Sequence, residues 1–494
     1  MSPSAAEADT LGREVWFELR IGGLRAGVAR ESVESVGDVV LVTSVRTRMA
    51  VERFGDRVEL AQDDTWRETA EGRALEYLSD RCLAEGERTL LRVLVTGDRL
   101  VVHKVSHGVE YDSEVSLDAD LVFPMALERL HASRGFVPGD VYSYSAFDPD
   151  FERVTTCSVS VVGRDTVRLC GRPVELGHVR VASDVYERLL IDEWRDDEGA
   201  LWLQRIDHLG VETRRVTSEE AALESELPDI AAAMVVPSNV TFRDPGRIDE
   251  ALYEIWLEGG DVERAVVLDE RQAVEGRTER GLLLRVERSL PPGAEGVSGR
   301  RRAASGIPDG GQAAAHDMSQ YLETNALLQR DDPAIVEAAE RAVSDAGDTP
   351  WSMAAAISRA VADMMEFRGY GTGFASATEV LRTGRGDCSE HAVLAAAMAR
   401  AVGLPSRVVT GLVHFDGVFA YHMWVEVWTG ENWHGFDPTQ GSGGLDATHL
   451  TLGSSSLEGG RVGELSLPVL RTANRLHVRV VEYVEAGMLK SPAD

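Results

Sequence analysis

Cys388 is the residue in this chain best placed to do covalent chemistry. It lies in the run Gly384-Arg385-Gly386-Asp387-Cys388-Ser389-Glu390-His391, and His422 and Asp437 follow it. A thiol becomes a working nucleophile when something lowers its pKa, something takes its proton, and something orients that base. All three roles can be filled from these residues.

The elements that must position them are legible from local pattern. Ser389 to Val402 is Ala-rich, with Val393, Leu394, Ala397, Met398 and Val402 at helical spacing, so Asp387 is the expected N-cap and Cys388 falls in the first turn. A thiolate there meets the positive end of the helix dipole and backbone N–H groups with no partner in the helix. Gly403 ends the helix and Pro405 prevents its resumption. Two β-branched and aromatic runs come next, 406–413 and 420–428, then a shorter one at 433–439 beyond the turn Thr429-Gly430-Glu431-Asn432. If Trp428 faces Trp433 across that turn, His422 comes opposite Thr439 and diagonal to Asp437, within reach of its carboxylate. A helix-borne thiol, a strand-borne imidazole and a carboxylate on the next strand form a Cys-His-Asp triad by role. His391, His414 and His434 are weaker candidates, while Glu390 and Glu426 read as supports. The four cysteines lie far apart with no C-x-x-C pair, so neither a zinc site nor any other cofactor is expected.

Four blocks carry a resemblance: Gly386-Asp387-Cys388-Ser389-Glu390-His391-Ala392, residues 399–407, His422-Met423-Trp424-Val425-Glu426, and Trp433 with Phe436-Asp437-Pro438-Thr439. In this order they resemble the transglutaminase-like superfamily of papain-like cysteine enzymes, over about residues 318–455. The resemblance implies Cys388 as nucleophile, His422 as general base and acid, and Asp437 as orienting carboxylate. It implies acyl transfer on amides through an acyl-thioester, with a protein or peptide as substrate. Hydrolysis is expected in preference to transfer onto an amine acceptor, because excluding water requires a closed acceptor tunnel of which the sequence gives no sign. The alternatives are transglutaminase-type transamidation and a non-catalytic peptide- or lipid-binding envelope protein.

Composition narrows the function classes. The 494 residues hold 51 Lys and Arg against 82 Asp and Glu, a net charge of -31, which repels nucleic acid and anionic membrane. At 44% hydrophobic and 27% charged residues the chain reads as globular, with room for about three domains. No apolar run is long enough to span a membrane. The first nine residues lack the basic and apolar regions of a signal peptide, so the sequence as written reads as cytoplasmic, or as cell-envelope if a leader has been removed.

The expected fold class is α+β: a C-terminal transglutaminase-like (papain-like) catalytic domain, 318–494 with a closing strand at 475–483, preceded by mainly antiparallel β domains. Residues 13–215 read as an antiparallel sheet domain around a helix at 121–132, loosely similar to the N-terminal domain of bacterial envelope proteins that carry a transglutaminase-like domain behind it. Residues 236–290 read as a small β module with strands near 252–257, 264–268 and 281–288. A linker or mobile loop at 290–317 contains Arg300-Arg301-Arg302, followed by helices at 333–346 and 352–365. Within the first domain Gly163-Arg164-Asp165 reads as a hairpin turn. That would bring Cys157 and Cys170 within disulfide reach, a bridge that would imply an oxidising compartment.

Overall fold

The computed structural model describes residues 12–492 apart from 38, 84–86, 187–188, 295–317, 368–373 and 442. The expected linker falls largely outside the described residues, and its arginine cluster wholly so. The chain divides into two compact units, Met1–Ala231 and Ala232–Asp494. It is α+β, its strands being almost all antiparallel. No helix among the described residues is long and apolar enough to cross a membrane.

The first unit is one fourteen-stranded sheet. Eight strands follow one another as neighbours from Glu14–Ile21 to Val109–Ser116, and six more from Val141–Asp148 to Val211–Val216. The two runs join where the first strand pairs with the last, Trp16 facing Val216 and Ile21 facing Val211. Alternation of buried and open positions drives strand formation: in Arg99–Ser106 every second residue, Leu100, Val102, Lys104 and Ser106, is buried. Lys104 is tolerated there because its ammonium meets Glu152 at 2.7 Å. The helix Pro124–Arg134 has no side-chain cap from Phe123. Both oxygens of the buried Glu68, from the strand Asp56–Thr69, accept instead from the N–H groups of Met125 at 3.1 Å and Ala126 at 2.8 Å.

The expected Gly163 turn is not formed. Gly163, at φ 151°, is a bulge inside the long strand Arg153–Leu169, which continues to a turn at Cys170-Gly171, where φ is 48° and 73°. Cys157 pairs with Ser183, and Cys170 lies thirteen residues further along, roughly 40 Å away in an extended chain. Both thiols are free. The argument for an oxidising compartment from this pair therefore fails.

In the second unit a five-stranded sheet runs in the order Val235–Pro237, Val418–Trp428, Ser406–Phe415, His449–Ser455, with Trp433–Phe436 also paired to Val418–Trp428. Two cores share it. Val408, Val425, Val427 and Phe436 join the helices Pro333–Val343, Pro350–Met364, Ala377–Thr383 and Cys388–Ala401. Leu412, Phe419, Tyr421 and Leu450 join Tyr253, Ile255, Leu282 and Leu284 of a second five-stranded sheet. That second sheet combines Ile248–Leu257, Gln272–Arg277 and Leu282–Glu287 with Leu476–Glu485 and Met488–Lys490. The runs read as a separate small module thus share their ladder with the C-terminal strand. The run 264–268 is not a strand, because Asp261 accepts from Glu263 N–H and starts a helical turn at Val262–Arg264.

Candidate active site

Cys388 opens the helix Cys388–Ala401, as its sequence pattern requires. The Asp387 carboxylate accepts from Ser389 N–H at 2.8 Å, and Glu390 reaches back to accept from Asp387 N–H at 2.9 Å, a complete capping box. Gly386 precedes it at φ 153°, where an added Cβ would come within 2.4 Å of Glu390 Cβ. The other end of the helix is tied down by Arg400, 1% exposed, which donates to the carbonyls of Glu323, Ser406 and Ser456. Burial lowers its pKa to about 10. Cys388 is thus the first residue of a rigidly held helix, itself 7% exposed.

The strand Val418–Trp428 carries His422. Its hairpin has the expected register, Trp428 facing Trp433 with ring centroids 5.7 Å apart. The ladder ends at the pair Val425–Phe436, since Pro438 has no N–H with which to continue it. Asp437 leaves the strand there and turns inward, fully buried. Its Oδ2 accepts from His422 Nε2 at 3.0 Å, while its Oδ1 accepts from Thr439 N–H at 2.9 Å and Thr439 Oγ1 at 2.6 Å. Ser358, from the helix Pro350–Met364, donates to the Asp437 carbonyl at 3.1 Å. Nε2 is committed to Asp437, and Cys388 is near enough for its charge to act on the other side of the His422 ring.

Charge follows geometry. Burial opposes ionisation of His422, but the Asp437 charge and the Cys388 contact outweigh it and hold the imidazole well above its usual pKa. Burial likewise opposes the Asp437 carboxylate, yet His422 and His449 hold it well below the usual carboxylate range. Glu390 behaves oppositely: burial, then the charge of Asp387, push its pKa up to about 7.

The structure brings Cys388, His422 and Asp437 together and sorts the lesser candidates. His391 lies close by, its Nδ1 donating to the Asp387 carbonyl at 2.7 Å, and burial lowers its pKa. His414 bonds the Val240 carbonyl, and His434 packs edge-on against Trp351. Glu426 pairs with Arg407 at 2.6 Å. Two residues absent from the sequence reading belong to the site: His449, whose Nε2 is 3.3 Å from Asp437 Oδ2, and Asp446, whose Oδ1 is 3.1 Å from His449 Nδ1. His422, Asp437 and His449 each present one metal-binding type of atom within 4.8 Å of the others. Those atoms are already matched as two N–H donors and one acceptor.

Residues 337–438 match the sequence model of the transglutaminase-like superfamily, so the second unit contains a transglutaminase-like domain. No curated protein matches the chain. Among solved structures, a β-barrel-like protein of unknown function from Brucella abortus is 15% identical at a TM-score of 0.33, over 41% of this chain and 94% of that one. A candidate cysteine protease from Cytophaga hutchinsonii is also 15% identical, at a TM-score of 0.29, over 44% of this chain and 80% of that one.

Proposed function

We propose that the chain is a cysteine-dependent acyl-transfer enzyme acting on amide bonds of proteins or peptides, with water as the preferred acceptor. The observation that carries this reading is the buried Asp437 carboxylate held 3.0 Å from His422 Nε2, which leaves the other nitrogen for a thiol at a helix N-terminus. His422 takes the Cys388 proton and the thiolate attacks the amide carbonyl. The tetrahedral oxyanion collapses as His422 returns the proton to the leaving amine. The acyl-thioester is then cleaved by a water that gives its proton to His422, regenerating the thiol. Asp437 orients the imidazole and stabilises its charged form throughout. The Cys388 N–H, at N1 of the helix and without an intrahelical acceptor, is the natural first oxyanion donor. Water is favoured over an amine because transfer to an amine requires a closed tunnel that excludes water, whereas 12% of the His422 side-chain surface remains open to solvent.

The test is a site-resolved rate of Cys388 alkylation by iodoacetamide against pH, in the wild type and in His422→Ala. A thiolate stabilised by His422 gives fast alkylation at pH 6 that the variant loses. A Cys388 that reacts as an ordinary thiol of pKa ~8.5 in both proteins defeats the proposal. Incubation of a glutamine-containing peptide with and without a labelled primary amine then separates hydrolysis from amine transfer, and Cys388→Ala must abolish either.

A further inference from the structure

We propose that His449 is a positioning residue of this site, a second imidazole that fixes the Asp437 carboxylate for His422; the inference rests on the acyl-transfer reading above. His449 is 1% exposed and lies between two carboxylates, Nε2 at 3.3 Å from Asp437 Oδ2 and Nδ1 at 3.1 Å from Asp446 Oδ1. Neither acceptor has a proton to give while ionised, so both ring nitrogens must carry hydrogen and the ring is an imidazolium. A histidine that only filled space would need neither partner, and its neutral form would be cheaper to bury. Here its charge offsets two buried aspartates, one of which is shared with His422.

The surroundings hold this ring as firmly as the helix holds Cys388. Asp446 Oδ1 also accepts from Thr448 N–H at 2.8 Å and Thr448 Oγ1 at 2.6 Å. Arg271, from the segment before Gln272–Arg277, sends one Nη2 to the carbonyls of Asp446 at 2.9 Å and His449 at 3.0 Å. Tyr253 donates to the Ala447 carbonyl at 2.8 Å, and the Gln272 amide pairs with both backbone groups of Thr451. The Trp424 indole stands edge-on to the His449 ring, centroids 5.5 Å apart. The sheet containing Tyr253 and Gln272 therefore serves the chemistry by anchoring residues 446–451.

Two consequences follow for His422. With Oδ1 held by Thr439 and Oδ2 by two imidazoles, the carboxylate cannot rotate, and the His422 ring direction is set with it. The Asp437 charge is also divided between two cations, so His422 loses its proton at a lower pH than it would facing Asp437 alone. The ionisable groups around His422 are Cys388, Asp437, His449 beyond it, and His391, whose pKa burial lowers.

The experiment uses the full chain and iodoacetamide, following Cys388 alkylation from pH 4 to 10 by mass spectrometry, with thermal unfolding in parallel. His449→Leu, which removes the donor, is expected to lower the alkylation rate at pH 6 at least tenfold. His449→Gln, whose amide can still donate to Asp437, is expected to keep that rate within about threefold of wild type. In both variants the upper transition, where His422 deprotonates, is expected to move up by half a pH unit or more. Wild-type rates and transitions in His449→Leu would overturn the inference, as would losses in the two variants that track their unfolding temperatures alone. If His449→Leu does not fold, an unmoved upper transition in His449→Gln overturns it and a raised one supports it. A wild-type Cys388 that alkylates as an ordinary thiol overturns the acyl-transfer reading instead, and this inference with it.

Discussion

Replacing Glu390 with Gln should remove much of the pH dependence of stability between about pH 4.5 and 7. The Glu390 side chain is fully buried behind Cys388, and burial followed by the Asp387 charge raises its pKa from 4.5 to about 7. A carboxyl whose folded pKa is raised binds its proton more tightly in the folded state. Its contribution to stability is complete below pH 4.5, declines as the unfolded chain ionises, and is gone once the pH has passed through 7. A displacement of about 2.5 pH units at 1.36 kcal/mol each is worth roughly 3 kcal/mol. Gln mimics the protonated form and cannot ionise, so wild type should lose about that much relative to the variant from pH 4.5 to 7.5. Substitution also removes one of the acceptors facing Asp387 N–H and Ala375 N–H. That costs about 1 kcal/mol at every pH and shifts the comparison without changing its slope. Urea unfolding followed by tryptophan fluorescence at several pH values measures the difference directly. Groups common to both proteins, Asp437 and His422 among them, cancel in it. A stability difference that stays flat across this range would refute the claim that Glu390 is buried in its neutral form.

Asp437→Asn should flatten the acid limb of the stability profile: a depressed carboxylate contributes stability above its unfolded pKa of ~3.9 and loses it as pH falls through the folded value. Acid titration of both proteins by near-ultraviolet circular dichroism checks this, and the same variant should keep part of the Cys388 reactivity because its shape is preserved. Gly411→Ala should destabilise by about 3 kcal/mol, since the new Cβ would sit 2.2 Å from both the Leu450 carbonyl oxygen and the Trp424 ring; a urea midpoint equal to wild type would contradict the packing described. Cys157 and Cys170 should be recovered as separately alkylated thiols when the protein is denatured in alkylating agent without reductant, and a cross-linked peptide would contradict the strand register.

The Cys388 helix and the His422 hairpin were readable because each announces itself within a dozen residues. Asp387 with Glu390 marks the helix start, and Trp428 with Trp433 sets the register of a short turn. His449 and Asp446 offered no comparable signal. They follow an irregular stretch after Pro438, and their partner Arg271 lies 175 residues from Asp446 in the chain, a contact no local pattern encodes. In the first unit the strands Ala74–Leu83, Val109–Ser116, Val141–Asp148, Leu190–Arg195, Leu201–Ile206 and Val211–Val216 went unread because polar and charged residues interrupt their apolar alternation. Glu76 and Ser79, for example, occupy buried positions that are normally apolar. Gly163 misled in the other direction: glycine followed by the polar pair Arg164-Asp165 signals a turn on average, but a bulge uses the same freedom of φ without reversing the chain.

The fourteen-stranded sheet ends in two outer strands, and the way each is finished governs how the protein tolerates its own concentration. An open strand edge is a template for another copy of the chain. Val109–Ser116 carries Glu110, Asp112 and Glu114 along one such edge, with Asp112 paired to His103 and Glu114 to Arg99 of the neighbouring strand at 2.8 Å each, so a copy approaching in like register would have to crowd these charged pairs. At the other edge Val122 N–H bonds the Ser145 carbonyl at 2.9 Å, and Leu121 bridges to Ser145 in parallel. The chain thereby occupies the middle of the Val141–Asp148 rim with its own backbone. One rim is finished with charged pairs and the other by occupancy. A sheet this wide has two rims that must be kept from pairing with another copy, and the charged device is the one that weakens as salt rises or as the carboxylates are protonated.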